Sequence, residues 1–77
     1  MRVIYEESDE IPVGTNQLKR SWKRAIRKML KDGKTVCYAP GVNIFLKGDM
    51  IKIQEWADDD GNHNPPLVIS VESMKGK

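Results

Sequence analysis

The sequence predicts an α+β fold, a two-layer sandwich with one amphipathic helix packed on a four- to five-stranded, mainly antiparallel sheet, in the order β-α-β-β-β-β. Three observations carry that expectation. Apolar residues recur at helical spacing between about residues 15 and 32. After Gly33 the apolar period changes to two, the signature of half-buried strands. Turn chemistry at Pro40-Gly41 and Lys47-Gly48-Asp49 then divides the apolar runs into pieces of strand length.

The first strand is expected over residues 2–5, where Arg2-Val3-Ile4-Tyr5 concentrates β-branched and aromatic side chains. Glu6 to Glu10 is acidic and polar and reads as a loop. The helix follows over about 15–32, capped by Gly14 or Thr15. With Gly14 as the cap, Gln17 takes the capping-box position, and Val13 and Leu18 the staple positions. Gly33 is a natural residue to end it, because the chain leaves a helix through a left-handed conformation. At about 100° per residue, Leu18, Trp22, Ala25, Ile26, Met29 and Leu30 share one side. Arg20, Lys23, Arg24, Arg27 and Lys31 share the other.

Strands are expected at about 35–39, 42–47, 50–56 and 67–72. The turn at Lys47-Gly48-Asp49 permits two registers, centred on Lys47-Gly48 or on Gly48-Asp49. Both place Val42, Ile44, Leu46, Ile51 and Ile53 on the face that the helix covers. The other face then carries Phe45, Met50 and Trp56, with Tyr38 beside them, as an apolar surface for a partner or for intramolecular cover. Residues 57–66 read as a surface loop and Ser73 to Lys77 as a frayed basic tail. The 77 residues form a single small domain, 1–77.

The charges are segregated. Residues 1–13 set Arg2 against Glu6, Glu7, Asp9 and Glu10, a balance of −3. Residues 14–34 set eight Lys and Arg against Asp32, a balance of +7, and residues 35–77 set four Lys against six acids, a balance of −2. Between Leu18 and Lys31 there is no acid. Like charges at i,i+4 repel by a few tenths of a kcal/mol per pair. An ordinary solvated helix mixes signs, so this stripe calls for an anionic counterpart. The phosphate backbone of DNA or RNA fits, bound through Arg20, Lys23, Arg24, Arg27 and Lys31. So does an acidic protein surface, which can be this chain's own Glu6–Glu10 segment or its copy in a homodimer.

Other chemistries lack their residues. Cys37 is the only cysteine and His63 the only histidine, too few for a disulfide or a zinc site, so no metal or cofactor is expected. Asp58-Asp59-Asp60-Gly61 resembles the start of a calcium loop, but the twelfth position, counted from Asp58, is Ile69 instead of a glutamate. Cys37 sits mid-strand, where it packs as a small apolar residue. No phosphate-binding glycine loop and no nucleophile elbow is present, so no catalytic residue is assigned and enzymatic activity is not expected. A helix-turn-helix would need a second helix. An RNA-recognition sheet is matched only loosely, by Phe45 with Tyr38 and Val36 beside it on the neighbouring strand, and the lysine/glycine-rich signature of that module is missing. The N-terminal residues lack the apolar run of a secretory signal, and no segment is long and apolar enough to span a bilayer, so a cytoplasmic location away from membranes is expected. The functional expectation is a small nucleic-acid-binding accessory protein. The alternative is a small regulator or inhibitor, of the type mobile elements encode, that binds a larger protein with an acidic surface.

Overall fold

The computed structural model describes residues 6–57 and 63–75. The strand expected at 2–5 lies outside them, as does most of the aspartate-rich loop. The elements in chain order are β1 (Ile11–Pro12), α1 (Arg20–Lys31), β2 (Val36–Ala39), β3 (Val42–Lys47), β4 (Met50–Glu55), β5 (Leu67–Ser70) and α2 (Val71–Lys75). The five strands form one sheet in the order β1-β5-β4-β3-β2. The pairs from β2 to β5 are antiparallel, and β1 joins β5 in parallel. The fold is therefore the expected α+β sandwich, with α1 packed on the sheet.

The helix stripe and the strand alternation meet as the sequence requires. Ile26, Ile44, Ile51 and Ile53 are fully buried, and Leu18, Trp22, Met29, Val42 and Ile69 nearly so. Leu46 pairs with Ile51 and Lys47 with Met50, so the turn is centred on Gly48-Asp49, the second of the two registers. Gly48 has φ +61°, which a Gly-X hairpin turn demands at its first position. At the other hairpin, Gly41 takes φ +80° behind Pro40, the pattern of a type II turn. The carbonyl of Pro40 accepts a hydrogen bond from the Trp22 indole at 3.2 Å, which pins α1 to that turn.

Four boundaries differ from expectation, each for a local reason. Thr15–Gln17 forms a separate 3-10 turn, and Leu18 and Lys19 are extended before α1 begins at Arg20. Gln17 does reach back to the Gly14 N–H at 2.8 Å, so the expected cap is real but closes the short turn. Thr15 and Asn16 are poor helix interior residues, because their side chains compete for backbone groups. Ile11–Pro12 pairs with β5 although Pro12 weakens it as a strand candidate; proline is tolerated on an edge. The last strand stops at Ser70 instead of residue 72, and Val71–Lys75 turns into α2. The Ser70 hydroxyl accepts a hydrogen bond from the Ser73 N–H at 3.1 Å, a helix cap. The described part of the expected tail is thus ordered structure, and Met74 lies in the core. Trp56 leaves β4 and makes an isolated bridge to His63.

Candidate anion-binding surface

Helix α1 ends in a Schellman arrangement. Gly33, at φ +69°, donates its N–H to Leu30 at 3.3 Å, and Lys34 donates to Met29 at 2.9 Å. Together with the buried Trp22, Ile26 and Met29, this fixes the rotation of the helix about its axis. The outward direction is fixed as a consequence. Arg20, Arg24, Arg27 and Lys31 are exposed and Lys23 is half-buried. At 3.6 residues per turn these five fall within an arc of about 100° over a length of about 16 Å.

Their charges are not balanced locally. None of the five forms an ion pair with an acid among the described residues. The neighbouring cations differ: Lys28 is paired with Asp32 at 3.2 Å, and the Lys19 ammonium lies 5.1 Å from the centre of the Trp22 ring. The acidic N-terminal segment does not supply the missing partner where it is described. Asp9 accepts a hydrogen bond from the Glu6 N–H at 2.9 Å. Glu10 pairs with Lys52, which projects from the sheet face opposite α1.

The second candidate surface, on that opposite face, is divided. Tyr38 is 71% exposed, Trp56 44% and Met50 37%, while Phe45 is half-buried. The register relates three of them and leaves Trp56 apart. Phe45 stands opposite Val36 and one diagonal step from Tyr38. Met50, paired with Lys47 and Ser70, is one diagonal step from Phe45 on its other side. Trp56 is covered on one side by the His63 ring, with centroids 4.1 Å apart. The Glu10–Lys52 pair crosses the same face near the buried Val68. Phe45 thus lies between Tyr38 and Met50 on this face, while Trp56 stands beyond the end of β4 against His63. Val36, 40% exposed on the sheet edge, stands beside Phe45 on the neighbouring strand. Its exposure follows from the place of β2 at the edge of the sheet, an order that the period-two pattern does not contain.

Cys37 is half-buried against the core, and burial raises its thiol pKa above the ordinary 9.0. The neutral thiol that this favours is a poor nucleophile. Among the described residues, no three His, Cys, Asp or Glu side chains are grouped to hold a metal ion, and no helix is long and apolar enough to cross a membrane. No protein family, curated protein or solved structure matches the chain.

Proposed function

We propose that this is a small, non-enzymatic nucleic-acid-binding accessory protein of the cytoplasm, which holds the phosphate backbone on the outer face of α1. The observation that supports this reading is the set of five cations, Arg20, Lys23, Arg24, Arg27 and Lys31, without an acid paired to any of them among the described residues. The described acids nearest in sequence are spent elsewhere, Asp32 on Lys28 and Glu10 on Lys52. A rigid row of cations gives affinity through counterion release and little base discrimination, because phosphate contacts position a protein without reading sequence.

The test is fluorescence anisotropy with short DNA and RNA, single- and double-stranded, across a salt series. If all five cations engage duplex DNA, the slope of log affinity against log salt is about −4 to −5. The triple change R20E/R24E/R27E abolishes binding. Tight binding that survives the triple change would exclude α1 as the site. Absence of binding at low salt would favour the second reading, a regulator or inhibitor that docks the same stripe on an acidic protein. The exposed Tyr38 and Val36 support that alternative, since protein contacts add apolar anchors to charge complementarity.

A further inference from the structure

We propose that the nucleic acid held by α1 is single-stranded, and that the groove between α1 and β2 receives one of its unpaired bases. The inference rests on the phosphate-binding reading of α1 and adds a second kind of contact to it. Ala25 and Met29 of α1 and Cys37 of β2 give the groove an apolar lining. Lys28, Asp32 and Lys34 stand on its rim. Its volume is about 320 Å³, at the small end of ligand pockets.

The hydrogen-bond phase of β2 shows what else the groove offers. Ala39 and Val42 close a two-residue hairpin, and Leu46 donates its N–H to Thr35 at 2.8 Å. Residues 35, 37 and 39 therefore turn their backbone groups toward β3, because bonding alternates along an antiparallel strand. Val36 and Tyr38 turn theirs away from β3, and both residues line the groove. Among the described residues no strand pairs with β2 on that side. An unpaired base has two apolar faces and a row of donors and acceptors along its edge. The groove holds the complement, with apolar side chains from Ala25, Met29 and Cys37 and mixed backbone groups from Val36 and Tyr38.

Charge selects the same occupant. Lys28 and Lys34 outnumber Asp32, so the rim is net positive and suits a ligand that carries phosphate. The groove also adjoins the basic stripe. Ala25 follows Arg24, and Lys28 follows Arg27, each about 100° further round α1 on the side of β2. A strand whose phosphates lie on Arg24 and Arg27 therefore has the groove at its flank, where its bases project. Tyr38 borders the groove and is 71% exposed, an aromatic surface on which a neighbouring base can stack. A duplex keeps its bases paired and stacked, so it meets the stripe without entering the groove.

The decisive experiment gives the unaltered protein two labelled strands of equal length and charge at one low salt concentration. One is an oligothymidylate, and the other has the same backbone with a stable abasic analogue at every position. By fluorescence anisotropy the base-bearing strand binds about tenfold or more tighter, the gain expected from a stacked base. Ala25→Leu, which fills the groove, removes the difference between the two strands. Amide NMR spectra of the unaltered protein give a second reading that needs no variant. The Val36 and Tyr38 amides shift with the base-bearing strand and stay in place with the abasic one. Equal affinity for the two strands would overturn the groove as a base site and leave α1 as a phosphate site. A tighter base-bearing strand that leaves the Val36 and Tyr38 amides unmoved would also overturn it, since the base would then lie elsewhere. Failure of both strands to bind would remove the phosphate reading of α1, and the groove with it.

Discussion

The two faces of the sheet are built from the same strands and serve opposite ends. On the face under α1, Ile44, Ile51 and Ile53 are fully buried, and the contacts are apolar. On the opposite face the intervening residues, Phe45, Lys52 and Gln54, are half-buried, and cover comes from the Glu10–Lys52 ion pair and from His63 on Trp56. A one-residue step along β4 thus moves from the core to a polar, partly wet surface. Stability resides on the buried face. Burial of apolar area carries the fold from one side. The other side is free to carry charge and open edges at little cost.

That contrast predicts very unequal effects for adjacent substitutions. Ile53→Ala removes a fully buried side chain between α1 and the sheet and lowers unfolding stability by about 2–5 kcal/mol, measured by urea denaturation. For a domain of this size, such a loss consumes much of the total. Glu10→Gln, which breaks the ion pair with Lys52 on the other face, costs about 1 kcal/mol or less. A double-mutant cycle with Lys52→Met isolates that coupling. If Glu10→Gln proved as damaging as Ile53→Ala, the open face would be a second core and the contrast would be lost.

The buried face was the part most legible in the sequence. Leu18, Trp22, Ile26 and Met29 recur at helical spacing, and Val42, Ile44, Ile51 and Ile53 fall on one side of the strands in either hairpin register. The period determines burial without knowledge of the partners. The C-terminal helix was less visible, because Leu67-Val68-Ile69-Ser70-Val71 reads as one strand. The stop comes from Ser70, whose hydroxyl bonds the Ser73 N–H and redirects the chain, and serine is also an ordinary strand-end residue. The Ile11–Pro12 edge was hidden for a related reason, since two residues carry no period and Pro12 argues against a strand. For the candidate site, the basic stripe was legible as a pattern. What the pattern left open was whether Glu6–Glu10 folds onto it. That question belongs to tertiary structure, where Glu10 takes Lys52 instead.

The smallest expected effect has the opposite sign and tests the outer face of α1 directly. Arg24 is exposed, lies one turn from Arg20 and from Lys28, and faces no acid among the described residues. Arg24→Glu replaces two repulsive i,i+4 relations with attractive ones, each worth a few tenths of a kcal/mol. It also places a glutamate N-terminal to Lys28, the better orientation for such a pair. Stability therefore rises slightly, by about 0.5 kcal/mol, although a surface charge has been inverted. The gain is largest in low-salt buffer and fades as salt screens the original repulsion. Thermal unfolding of both proteins at two ionic strengths reads this out. A gain at low salt means that Arg24 is held in the native sequence at a cost to folding, as a residue kept for binding would be. A loss at low salt would mean that Arg24 already has an anionic neighbour within the chain or its dimer, and that the stripe is internally neutralised.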